Sequence, residues 1–207
     1  MGEPVLFLVV AAAGVAVGLA RGGTVRGLRD PGVKAARLGL ACLAVQCLVV
    51  VLPLRAVGLP LALGPVLLLA ALATLVAVAR PNFAVAGVPL FVLGVLLNLL
   101  VVLVNFGMPV PASTLERAGI TLEQPAPDRP DAKHVIERDG TRLGLLGDRL
   151  AVRPLRTVTA YGTVIELAGL FLLLQHLVRG PGPIRREDGT THGAHEARTV
   201  PWTTWAE

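Results

Sequence analysis

Five stretches of this chain are too apolar and too free of charge to belong to a soluble fold: residues 4–20, 38–54, 61–79, 83–105 and 157–178. About 20 residues at ~1.5 Å rise cross a ~30 Å hydrocarbon layer, so each run reads as a transmembrane helix. Composition agrees. Of the 207 residues 54% are hydrophobic and only 16% charged, and the mean hydropathy is +0.69. A soluble domain of that length needs more polar surface. The sequence therefore predicts an all-α integral membrane protein, a bundle of five transmembrane helices. A small extracytoplasmic cap over 106–156 is expected between helices 4 and 5, with a tail from 179 to 207 that has the composition of a disordered segment.

The basic residues set the orientation. Arg21, Arg26, Arg29, Lys34 and Arg37 crowd the first loop, Arg80 sits in the tight turn 80–82, and Arg179, Arg185, Arg186 and Arg198 follow the last run. With five spans these all fall on one side, which is then cytoplasmic, in a bacterial inner membrane. The N-terminus and segment 106–156 lie outside. No basic residue precedes the first run, Glu3 does, and the positive charges come after it, so it reads as a retained helix rather than a cleaved signal.

A net charge of +5 does not indicate nucleic acid, because the positive excess sits at helix ends and not in a groove lined with aromatic residues. No cofactor or metal motif is present. Cys42 and Cys47 are five apart, ~140° around a helix, and suit core packing better than a disulfide. "HGAHE" (192–196) lacks further ligands, and Trp202 and Trp205 could touch the bilayer surface.

The exit of the fourth run, Asn105-Phe106-Gly107, is followed by Pro109 and Pro111. Gly107 is expected as a left-handed helix cap. Ser113-Thr114-Leu115-Glu116 has capping-box spacing and Gly119 is a stop signal, so a short helix should lie on the membrane surface. Pro125, Pro127 and Pro130 make a stiff crossing. Asp139-Gly140 between two strand-like arms predicts a hairpin with a type I′ turn; Gly147-Asp148 reads as a further turn.

From Asn105 to Gly119 the chain resembles a bacterial integral membrane family catalogued as domain of unknown function 5317. The resemblance extends over most of 1–178. It rests on Arg21-Gly22-Gly23, on the exit Asn105-Phe106-Gly107-Met108-Pro109-Val110, on Lys133-His134-Val135 and on Leu146-Gly147-Asp148. It implies a polytopic membrane protein without implying an activity. Phe106 stands where the family pattern has glycine. The acid usual at Gly162-Thr163 is missing, with Glu166 three positions on.

Glu166 carries the sharpest chemistry. Counted from 157 it lies about nine residues into the last run, ~14 Å deep, where an acid is a functional candidate. Gln46 and Asn98 are its expected partners, and no basic residue is expected at its depth. The group is either a polar pocket, open to the cap and able to accept protons, or interhelical hydrogen bonding that holds the bundle together. Gly14, Gly18 and Gly22 are spaced for close helix packing, within the bundle or against a second copy. His134 and Asp148 could form an acid–base pair, but no nucleophile stands beside them. The function expected first is a non-enzymatic accessory or structural component of an envelope assembly, held in the lipid bilayer. A small transporter or lipid-handling protein built around Glu166 is the alternative, and a membrane enzyme with an extracytoplasmic site the third.

Overall fold

The computed structural model describes residues 2–26, 63–122 and 133–179, and between these stretches positions 34, 38, 39, 41, 42, 44, 45, 48 and 60. Its helices in chain order are α1 (Glu3–Ala20), α2 (Leu63–Ala79), α3 (Val88–Asn105), the short α4 (Ala112–Arg117) and α5 (Tyr161–Arg179). Four of them, α2 being prolonged by a 3-10 turn at Arg80–Asn82, are long and apolar enough to cross a membrane. Of the expected second span, Leu38, Gly39, Ala41, Cys42, Ala44, Val45 and Leu48 have helical backbone; the remainder, Gln46 and Cys47 included, lies outside the described residues. So do the crossing at Pro125, Pro127 and Pro130, and the tail with its "HGAHE" and tryptophans. Cys42 is buried in the main apolar cluster with Leu68, Leu72 and Val95.

Two helix starts differ from the sequence expectation. The run from Phe83 first makes a turn closed by Gly87 at φ 89°, so α3 begins at Val88. At the other end, Thr157, Val158 and Thr159 form a strand rather than helix. Their β-branched side chains suit a pleated surface better than a first helical turn. Glu166 therefore sits five residues into α5 rather than nine into a longer helix, ~8 Å from its start.

Small residues set the packing. Gly87, Gly94 and Gly169 are so close to the opposite backbone that a Cβ on any of them would strike it: Gly87 meets Gly169 and Leu173, Gly94 meets Gly162 and Glu166, and Gly169 meets Phe91. These pairings run α3 antiparallel to α5. α1 instead runs parallel to α5. A Cβ on Gly14 would lie 3.0 Å from the Phe171 carbonyl oxygen, and one on Gly18 2.9 Å from Val178 Cβ. Without a hydrophobic force between helices in lipid, such close approach is what dispersion needs. Gly22 behaves differently from Gly14 and Gly18: it has φ 85° and nothing near its Cβ position. It closes α1 in a Schellman turn, with the Gly23 N–H donating to the Gly18 carbonyl at 3.1 Å.

Between α3 and α5 the chain folds around a small core of its own, formed by Val110, Leu115, Ala118 and Val158. β1 (Met108–Val110) pairs in parallel with β2 (His134–Ile136), and β3 (Leu150–Val152) pairs antiparallel with β4 (Thr157–Thr159). The hairpin expected at Asp139-Gly140 is absent. Gly140 has φ 93° but Asp139 does not have positive φ, and the Thr141 N–H bonds the Arg138 carbonyl at 3.0 Å. A turn with positive φ only at its third position is of type II geometry. It sends the chain onward into a 3-10 turn at Gly144–Leu146 instead of back along β2. The capping box is not formed either: α4 starts at Ala112 after Pro111, with no side-chain cap. Gly119 does stop it, at φ 76°. At the α3 exit Phe106, not Gly107, takes the left-handed position, at φ 52° and ψ 40°.

Candidate functional site

Three of the four stretches of the family pattern, far apart in sequence, meet at one end of the bundle; Arg21-Gly22-Gly23 lies at the other, where α1 and α5 end. Asn105 ends α3 and clasps the backbone of Arg142: its Nδ2 donates to the Arg142 carbonyl at 2.8 Å, and its Oδ1 accepts from the Arg142 N–H at 3.0 Å. Met108 lies opposite His134 in the β1–β2 register. The Pro109 carbonyl accepts the Asp148 N–H at 2.9 Å, so β1 is bonded on both edges. Proline has no N–H to offer a ladder, and its carbonyl fills the gap. Gly147 presses against the Pro109 carbonyl so closely that a Cβ there would collide with it. Each of these contacts helps deliver Asp148 to the same place.

Asp148 is fully buried and sits between two bases. Its Oδ2 is 2.8 Å from His134 Nε2 and 3.4 Å from Lys133 Nζ. Lys133 in turn donates to both carboxylate oxygens of Glu3, at 2.7 Å each. The head of α1 is thereby fastened to β2 and to the Asp148 turn. Burial alone would raise the Asp148 carboxyl, but the Lys133 ammonium and the His134 ring outweigh it and hold the group below the ordinary carboxylate range. A buried pair of this kind contributes little net stability, but removing one partner strands the other and costs about 3–5 kcal/mol.

Below this cluster, Glu166 is 1% exposed. Asn98 Nδ2 donates to its Oε2 and to Thr163 Oγ1, both at 3.2 Å. Glu166 and Asn98 are thus brought together as expected, with Thr163 added; Gln46 lies outside the described residues. Among the described residues, Glu166 Oε1 and Asn98 Oδ1 are buried with no hydrogen-bond partner, as is Asp148 Oδ1. Lys133, just before β2, and Glu3, at the head of α1, act on Glu166 by charge from the cluster above it.

Glu3 and Lys133 are the site residues that sequence reasoning passes over, although a signal exists for each. Glu3 is a lone charge at the head of an otherwise apolar helix. Lys133 is one of two lysines against 17 arginines, so its residue type stands out. Among the described residues no cluster of three or more His, Cys, Asp or Glu is arranged to hold a metal ion. The chemistry on hand is proton exchange and hydrogen bonding.

Four membrane-length helices and a folded segment fastened across their common end define a membrane protein. The chain belongs to the family of unknown function DUF5317, whose model matches residues 32–175. α1, with Glu3, precedes the matched stretch. None of the curated proteins and none of the solved structures matches the chain.

Proposed function

We propose that the chain is a non-enzymatic structural or accessory protein of a bacterial inner membrane, with five spans and a folded extracytoplasmic cap. One observation carries this reading: the buried charges are engaged with one another. Glu3, Lys133, Asp148 and His134 tie α1, β2 and the Asp148 turn together, and Glu166 is held by Asn98 where α3 and α5 pack backbone to backbone. Polar groups used in this way fix a shape.

The direction of the helices supports the fifth span. α1 ends beside the end of α5, with the Thr24 N–H bonded to the Val178 carbonyl at 2.8 Å. α2 is antiparallel to α3 through a short turn, so it begins at the opposite end. A crossing between residues 24 and 62 would join the two ends, and run 38–54 is apolar enough to supply it. Arg21, Lys34 and Arg80 gather at the α1-exit end, where the Lys34 N–H bonds Asn82 Oδ1 at 2.8 Å. That end is cytoplasmic by the positive-inside rule.

A transporter or proton-handling protein centred on Glu166 is the second reading, favoured by Oε1 of Glu166 and Oδ1 of Asn98, which have no partner among the described residues. Purified protein in vesicles loaded with a pH-sensitive dye separates the two. The structural reading expects the same proton flux under an imposed potential from wild type, Glu166→Gln and empty vesicles. A wild-type flux abolished by Glu166→Gln would overturn it in favour of the second.

A further inference from the structure

Among the described residues three non-glycine positions have positive φ: Phe106 at 52°, Leu143 at 53° and Arg156 at 45°. L residues avoid that region because Cβ crowds the neighbouring carbonyl oxygen. Phe106 and Leu143 adopt it and still leave their side chains in the open, each 43% exposed. Leu145, two residues on, is 78% exposed. Phe106 is there as the left-handed cap of α3, with the Gly107 N–H on the Val102 carbonyl at 3.3 Å, and Leu143 opens the 3-10 turn at Gly144–Leu146; in water neither role calls for a large apolar side chain.

The turn bearing these leucines is fixed at the level where α3 leaves the bundle. Asn105, the last residue of α3, holds Arg142 from both sides. Leu146 packs on the apolar cluster that contains Val101 and Val102. Leu145 therefore stands beside the end of a membrane-length helix. Leu103 and Val104, in the last turn of α3, are exposed too, as lipid-facing residues of a span are. Charge agrees: leaving aside the buried Asp148, residues 134–160 carry five arginines and two acidic side chains, which suits anionic headgroups.

We propose that the 142–146 turn, with Phe106, is an interfacial anchor. It sets Leu143 and Leu145 into the headgroup–acyl boundary of the bilayer that α3 crosses, and its partner is the phospholipid surface. Apolar side chains at that depth gain what they lack in water, which accounts for phenylalanine and leucine at these two left-handed positions. The inference needs only that α3 spans a bilayer, and stands apart from the functional reading above.

Tryptophan quenching tests it. The two native tryptophans, Trp202 and Trp205, are replaced by phenylalanine, and Leu145→Trp is placed in vesicles of phosphatidylcholine and phosphatidylglycerol with bromine at shallow acyl positions. Leu103→Trp serves as the lipid-facing reference and Asp139→Trp as the aqueous one. The expected result is blue-shifted emission from Leu145→Trp, quenched at least half as strongly as Leu103→Trp, with Asp139→Trp unquenched. Red emission without quenching at 145, while 103 is quenched, would overturn the anchor. Blue-shifted emission without quenching would also overturn it, since protein, such as a second copy, would then cover the turn. Should Leu145→Trp not fold, an environment-sensitive dye on Leu145→Cys reads the same quenching.

Discussion

Among the described residues, Glu166 has one carboxylate oxygen engaged and one without a partner, and the oxygen of its neighbour Asn98 is likewise unpaired. A glutamine in its place keeps the acceptor for Asn98 Nδ2 and adds an amide able to donate to Asn98 Oδ1. Glu166→Gln should therefore be at least as stable as wild type in detergent. Glu166→Leu leaves a buried N–H of Asn98 unpaired and should lose about 1–3 kcal/mol; thermal unfolding of the three proteins checks the order. For Asp148 the sign of the pH effect is fixed by its lowered value. A depressed carboxyl contributes stability that is present above its unfolded value, near 3.8, and lost as pH falls through the lower folded one. Wild type should hold its unfolding temperature down to about pH 4 and lose stability below it, whereas Asp148→Asn should be weaker at neutral pH and flatter in acid. Glu166 and Asn98 are legible in the sequence because each is a polar interruption of an apolar run. The Glu3–Lys133 pair is not, since 130 residues separate its members and no local pattern couples them.

At the scale of elements, turn chemistry decided where the sequence misleads. Asp-Gly between apolar arms is a strong hairpin signal, yet it only requires positive φ where the backbone supplies it, and here that is at Gly140 alone. Val135 and Ile136 pair with β1 instead, whose other edge takes the Asp148 N–H. Gly140→Val should then open the loop to protease, costing about 1–2 kcal/mol for a β-branched residue at positive φ. Asp139→Val should leave it resistant. Equal sensitivity of both variants would restore the type I′ turn. The short helix after the α3 exit is legible from its stop at Gly119, but not its start. Pro111 already fixes φ at the entry, so the hydroxyl of Ser113 is not needed as a cap.

The whole molecule is where hydropathy speaks most clearly, since a bilayer admits few kinds of spanning segment. Four of the five runs recur as helices of spanning length. What hydropathy omits is the pairing between them: glycine spacing suggests close contact on α1 without naming α5 as its partner. Topology follows from the proposed fifth span. Asp139→Cys, in the folded segment, should react with an impermeant thiol reagent on intact cells, and Arg26→Cys only after permeabilisation; the reverse pattern would invert the protein. The two native cysteines, Cys42 and Cys47, are replaced by alanine beforehand, so that each variant carries one thiol. The link from Glu3 to Lys133 also has a meaning in time. At about 5–20 residues per second a ribosome delivers the lysine on the order of 10 s after the glutamate, and α5, on which Gly14 and Gly18 of α1 pack, later still. Until then the carboxylate at the head of α1 has no ammonium to meet and has to stay hydrated at the membrane surface. Among the described helices α1 is made earliest, yet it waits for α5 before it can seat.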